Sequence, residues 1–211
     1  MLIRIVFILC WPFVILADKK IIDAVDIFHE EGYFGSKEVI SLFDLAKNLN
    51  IPIKIHADEF NDNKGALLAV EYGALSADHL LCTNKDNIKA MAQSNTVATL
   101  LPGTGMFLGK NQANGRMFLD EGAKVAIASD YNPGSCHWDN LLSIASLAAP
   151  IYKMNITELW CSITLNASHA LGLKNQGAIV EGFTPKFSLF KVDTVDQITY
   201  NWGQNFNCSL P

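Results

Sequence analysis

The chain has 211 residues, with 16 Lys+Arg against 21 Asp+Glu and a formal net charge of −5. It therefore offers no basic surface to hold a phosphate backbone, and nucleic acid is excluded as an expected partner. Hydrophobic residues make up 50% of it and charged residues 18%, which excludes a disordered chain and predicts a large buried core in one domain or slightly more.

Leu2 to Ala17 is almost wholly apolar, interrupted by Arg4 and Pro12 and followed by Asp18-Lys19-Lys20. It is too short for a comfortable membrane span, and no membrane association is expected. It can be read as a signal peptide with a meagre n-region and a poor cleavage site, as a buried strand, or as sequence foreign to the domain that follows. Five cysteines, odd in number and without C-x-x-C spacing, point to neither a disulfide framework nor a cysteine zinc site and fit a reducing, cytoplasmic compartment. Sequons at Asn155, Asn166 and Asn207 are not read as glycosylated.

From Ile21 onward, short β-branched runs alternate with segments of helical period, the pattern of a parallel sheet covered by helices. The predicted strands are Ile21 to Phe28, Ile51 to Ala57, Leu75 to Asp78, Thr96 to Leu101 and Lys124 to Ser129. Helices are predicted over Ser36 to Asn48, Gly65 to Tyr72, Lys85 to Gln93 and Arg116 to Glu121. Pro102-Gly103 reads as a loop. Further helices follow at Asp139 to Leu147 and Thr157 to Leu171, with Pro150 as a break between them and Gly172 as a C-cap. Strand-like runs at Gly177 to Val180 and Phe187 to Val192 flank the turn at Glu181 to Pro185. Each β-plus-α unit takes about 20 to 30 residues, close to the repeat of a (β/α)8 barrel, which needs about 250 residues for eight units. Either a small open α/β sheet or part of a barrel satisfies the pattern.

In parallel α/β proteins chemistry collects at the carboxyl ends of strands, so the polar residues just after each apolar run are the ones to weigh. Those ends carry His29-Glu30-Glu31, His56-Ala57-Asp58-Glu59, Asp78-His79 and Asp130-Tyr131-Asn132-Pro133-Gly134. A His and an Asp from different strand ends can share a divalent ion that acidifies a bound water, and His56 and Asp130 are the candidates. His79 could shuttle protons to a leaving nitrogen, and Glu59 could accept from a substrate N–H. Catalytic zinc usually takes three protein ligands, and lone histidines at strand ends are often structural, so spacing alone leaves the bland reading open. His29, Glu30 and Glu31 read equally as a solvated loop, His137 and His169 as cap or helix-surface residues, and Asn166-Ala167-Ser168 as helix packing. The glycines at 103, 105 and 109 fail the dinucleotide pattern.

Four ordered motifs carry a resemblance: Lys54-Ile55-His56-Ala57-Asp58-Glu59-Phe60, Gly73 to Leu80, Leu100-Leu101-Pro102-Gly103, and Ala128-Ser129-Asp130-Tyr131-Asn132-Pro133-Gly134-Ser135. Together they resemble the imidazolonepropionases of the amidohydrolase superfamily, over about Asp23 to Asn201. The resemblance implies a partial TIM-like (β/α)8 barrel over 21–176, holding about the last five strands, with β-sandwich strands and tail over 177–211 and the apolar segment over 1–20. It implies zinc or iron on His56 and Asp130, a proton-transferring His79, and Glu59 against the imidazolone ring. Asn132, Gly134 and Ser135 fall in the loop that holds the propionate end, where a Pro-Gly turn would expose N–H groups to a carboxylate. The implied reaction is hydrolysis of 4-imidazolone-5-propanoate to N-formimidoyl-L-glutamate in histidine degradation, and the implied assembly a homodimer.

Ser129 stands where the family more often has Thr. Family members are longer and carry an H-x-H on their first barrel strand, which supplies two more metal ligands; the five histidines here contain no such pair. A barrel without those strands is expected to expose two long edges and to hold metal weakly. The alternatives are a catalytically inactive remnant, or another amidohydrolase acting on a cyclic amide or amidine; the Asn132–Ser135 loop suits a carboxylate-bearing substrate better than an uncharged base.

Overall fold

The computed structural model describes residues 13–204 and 206–208, so the expectations for Leu2 to Pro12 lie outside it. Five strands form one parallel sheet: β1 (Phe28–His29), β2 (Lys54–Ala57), β3 (Ser76–His79), β4 (Val97–Leu100) and β5 (Val125–Ile127). Between them run α1 (Ser36–Asn48), α2 (Gly65–Tyr72), α3 (Lys85–Ala92), and then α4 (Pro102–Phe107) with α5 (Gly115–Asp120). After β5 come α6 (Leu141–Ile151), α7 (Ile156–Ile163), α8 (Leu165–Ala170), β6 (Leu189–Phe190), α9 (Asp196–Tyr200) and β7 (Asn207–Cys208). Each strand lies beside its predecessor in the order β1-β2-β3-β4-β5. That order decides between the two architectures: a doubly wound sheet reverses at a switch point, whereas a barrel adds strands in sequence. The chain is a partial barrel.

Strand periodicity gives the sheet two different faces. Ile27, Ile53, Ile55, Ala57, Ala77, Ala98, Leu100, Val125 and Ile127 join the main core on the helix side. There they meet Val39, Phe43 and Ala46, the apolar stripe of α1. Register pairs Lys54 with Ser76 and Val97, and His56 with Asp78 and Thr99, placing those residues on the opposite, inner face. Val97 and Ala126 pack there against Ala170 of α8. Asn166 of the same helix donates through Nδ2 to the Val125 carbonyl at 2.8 Å, covering part of the edge of β5. The reading of Asn166 to Ser168 as packing residues fits that contact.

Several local expectations are corrected, beginning with the strand expected over Ile21 to Phe28, of which only Phe28 lies in β1. Pro102 opens α4 at its first turn, where a missing N–H costs nothing, so Pro102-Gly103 is a helix start and not a loop. The segment predicted as one helix from Thr157 to Leu171 breaks at Thr164 (φ −124°, ψ −86°), whose Oγ1 donates to the Trp160 carbonyl at 2.5 Å. The run Gly177 to Val180 is not a strand: Gly177 has φ +86° and lies so near Thr164 that a Cβ would stand 2.6 Å from the Thr164 carbonyl oxygen. Of the second run only β6 is a strand, and it pairs antiparallel with β7. Pro150 falls in the last turn of α6 and does not separate it from a later helix by itself. Gly172, at φ +69°, caps α8 as expected.

Gly115 begins α5 directly beneath Tyr152, and a Cβ there would meet the Tyr152 ring and Cβ at 2.5–2.8 Å. Tyr152 is fully buried, with its hydroxyl donating to Gln112 Oε1 at 3.1 Å, so it has no room to yield. Gly115→Ala should therefore cost about 1–3 kcal/mol of stability, read as a lower urea midpoint at unchanged slope.

Candidate active site

The carboxyl ends of β2, β3 and β5 bring together residues far apart in sequence. His56, His79 and Asp130 each present a ligand atom within 4.8 Å of the others. The two imidazole rings lie 5.2 Å apart between centroids. Glu59 lies beside them, its Oε2 3.7 Å from His79 Nε2. The quartet picked out at the strand ends thus converges on one place.

The backbone there is strained. Asp58 (φ 52°), His79 (φ 78°), Leu80 (φ 61°) and Asp130 (φ 53°) all adopt left-handed conformations, which L residues avoid and which collect at functional sites. Each turns the chain sharply as it leaves a strand, aiming His79 and Asp130 across the mouth. Asp130 is steadied by Thr104, whose Oγ1 donates to Oδ2 at 2.6 Å. Asp58 points away from the site: its carboxylate accepts from Gly65 N (2.9 Å), Ala66 N (3.2 Å) and Thr83 Oγ1 (2.9 Å), fixing the start of α2.

Glu30, read in the sequence as a loop residue, is buried and clamps the loop that carries Glu59. Its carboxylate accepts from Phe60 N (2.9 Å), Asn61 Nδ2 (3.1 Å), Asn63 Nδ2 (2.6 Å) and Glu31 N (3.0 Å). His29 beside it is also buried, bonded through Nε2 to Ser36 Oγ at 3.2 Å. The loop expected to receive the substrate is bonded to itself. Asn132 Oδ1 accepts from Gly134 N and Ser135 N, each at 2.8 Å, while its Nδ2 donates to the Asp130 carbonyl (2.7 Å) and Ser135 Oγ (2.9 Å). The N–H groups of Gly134 and Ser135 are therefore engaged within the loop and are not free donors. His137 is a loop residue bonded through Nε2 to the Pro133 carbonyl at 2.8 Å.

The site is acidic. Burial lowers the affinity of His56 for a proton, but the hydrogen bond and charge of Asp26, with the fields of Asp78 and Asp130, outweigh it and raise the pKa to about 9. His79 is pushed down to about 4 by burial and then by the charge on His56. Glu59 is pushed up to about 7 by burial and then by Asp130. Asp78 is engaged by Lys54 (Nζ–Oδ2 3.2 Å) and by Ser76 Oγ (2.7 Å), and Lys54 Nζ also donates to Ser76 Oγ. An environment that holds a proton on His56 equally favours a metal cation, and His79 Nδ1 is buried without a hydrogen-bond partner. Imidazole and carboxylate donors suit zinc and iron, so the donor set fits such an ion. A cavity of about 630 Å3, lined in part by Trp160, Ile163, Phe187 and Phe190, shares none of these residues. No described helix is long and apolar enough to cross a membrane.

Residues 27–209 match the Amidohydrolase family, and the chain belongs to it. Its relatives include imidazolonepropionases: those of Bacillus cereus and Bacillus mycoides are each 40% identical over 190 residues, covering 89% of this chain and 45% of theirs. The chain thus spans less than half the length of these curated relatives. Among solved structures, a zinc-bound adenosine deaminase from Xanthomonas campestris superimposes with a TM-score of 0.70 at 16% identity, over 84% of this chain and 47% of that one. A mutant atrazine chlorohydrolase from Arthrobacter aurescens, complexed with zinc and atraton, gives 0.71 at 16% identity over 96% and 53%. These two likenesses are of fold.

The roles of Asp26, Glu30 and Thr104 do not follow from the sequence, because a clamp's partners lie on other strands and no spacing announces them. Burial pushes the Glu30 carboxyl up, and the donations from Phe60, Glu31 and Asn61 outweigh it, leaving its pKa below the ordinary glutamate value. A depressed carboxyl stabilises the fold above its unfolded pKa and loses that contribution as pH falls through the folded one. Glu30→Gln should cost about 2 kcal/mol at pH near neutral, since its amide opposes the donors, and the gap to the parent chain should close in acid, followed by urea unfolding across a pH series.

Proposed function

We propose that this chain carries part of the catalytic centre of a metal-dependent imidazolonepropionase, hydrolysing the cyclic amide of 4-imidazolone-5-propanoate to N-formimidoyl-L-glutamate. The juxtaposition of His56, His79 and Asp130 within 4.8 Å, in a chain 40% identical to imidazolonepropionases, is the observation that carries it. His56 and Asp130 would hold zinc or iron, which supplies Lewis-acid polarisation of the reacting carbonyl. His79, kept neutral by its buried position, accepts a proton from the attacking water at a ring nitrogen. That proton ends on the ring nitrogen released when the C–N bond breaks, so one water is consumed and the carbonyl carbon becomes a carboxyl group, which releases its remaining proton to solvent. Glu59, with a pKa of about 7, accepts a hydrogen bond from the ring N–H when ionised. The Asn132–Gly134–Ser135 loop receives the propionate end, its donors exchanging the Asn132 oxygen for the ligand's carboxylate. The substrate is a free small molecule, the reaction cytoplasmic, and the assembly a homodimer.

The resemblance assigns two further ligands to an H-x-H that this chain does not contain, so the test supplies that segment in trans. Elemental analysis and turnover of 4-imidazolone-5-propanoate are measured on the same sample. Bound zinc or iron with turnover is expected, and His79→Ala should lower kcat about 10²–10⁴-fold with the metal retained. Absence of both metal and turnover in the complemented sample would reduce the chain to a non-catalytic remnant.

A further inference from the structure

We infer that Asp26 is a positioning residue for His56, fixing its ring so that Nε2 faces Asp130 and His79; the inference rests on the metal-dependent reading of the site. His56 Nδ1 lies 3.0 Å from Asp26 Oδ1, across the pairing of β1 with β2. An imidazole whose Nδ1–H is donated to a carboxylate leaves Nε2 as its free lone pair, and the negative partner makes that lone pair more basic.

The surrounding carboxylates are otherwise committed, which singles out Asp26. Asp78 is within reach of His56 in a second acidic group with Asp26, but Lys54 at 3.2 Å and Ser76 at 2.7 Å already engage its two oxygens. Asp130 is held by Thr104 at 2.6 Å. Among the described residues, the Asp26 side chain bonds to His56 alone. Position supports the assignment too. The isolated bridge Val25↔Ile53 and the Val25 hydrogen bonds to Pro52 and Lys54 tie the Asp26 backbone to the start of β2, so its carboxylate is carried by the same sheet that carries the histidine. Both side chains remain about one-third exposed, at 34% and 32%, so solvent and a ligand can reach the pair.

Two measurements on the whole chain test this, neither of them catalytic. Zinc affinity of the metal-free protein, by competition with a chromogenic chelator, should fall about 10–100-fold in Asp26→Ala and less in Asp26→Asn, whose oxygen still accepts from Nδ1. Nitrogen–proton correlation spectra of histidine-labelled protein, recorded at alkaline pH where the ring is neutral, should find His56 protonated at Nδ1 in the parent chain and shifted toward Nε2 in Asp26→Ala. A residue that merely supports the fold would change unfolding without moving the tautomer. Unchanged zinc affinity together with an unchanged tautomer would overturn the inference while leaving the reading of the site intact. A parent chain that binds no zinc even when complemented with the H-x-H segment would instead sink the metal reading, and the tautomer measurement would still decide whether Asp26 orients His56.

Discussion

The parallel register of β2, β3 and β4 is the constraint on which the site depends. Because Lys54 pairs with Ser76, and His56 with Asp78 and Thr99, their side chains must share one face, while Ile55, Ala77 and Ala98 share the other. A slip of one residue would drive a lysine, a histidine and an aspartate into the apolar layer beneath the helices. The hydrophobic core therefore does more than stabilise the sheet: by claiming every second residue it dictates which groups line the inner face. The ends of the strands inherit that phase, and His79 and Asp130 reach the same point only because the turns leaving β3 and β5 bend sharply.

A second consequence is an accumulation of negative charge. Asp26, Asp78 and Asp130 all act on His56, and Lys54 answers only one of them. Such a group, only partly screened by solvent, is costly unless a cation joins it, and a proton on His56 is the least specific cation available. His79 is depressed instead by burial and by the charge on His56, against the pull of the same aspartates, while Glu59 is raised by burial and then by Asp130, so three neighbouring groups differ in protonation without any of them being chemically unusual. Environments that push neighbouring pKa values apart are what separate acid from base in a catalytic centre.

Much of this was legible in the sequence, and the reason is periodicity. The strands at Lys54, Ser76, Val97 and Val125, and the helices at Ser36, Gly65 and Lys85, follow from alternation and helical spacing, and the acidic and imidazole residues stand where a parallel sheet delivers chemistry. What spacing could not reveal were bonds between distant segments. Glu30 is an ordinary loop residue until Phe60, Asn61 and Asn63 arrive to donate to it. The interruption at Thr164 and the close pass of Gly177 explain each other, and neither is visible in either stretch alone. Asn132 was read as a donor waiting for a ligand because the sequence does not disclose that its oxygen takes the two nearest amides for itself.

The left-handed conformations of His79 and Leu80 carry an evolutionary implication. Glycine occupies that region freely, whereas a residue with a Cβ gives up about 1 kcal/mol or more to stay there. At these positions selection for stability and selection for chemistry pull in opposite directions. A lineage released from catalytic duty could gain stability by drifting to glycine where the imidazole now stands, losing its function before any part of its core. Under the role proposed for His79, the main chain itself thus sets a cost on keeping the imidazole in place, a cost that no motif around it discloses.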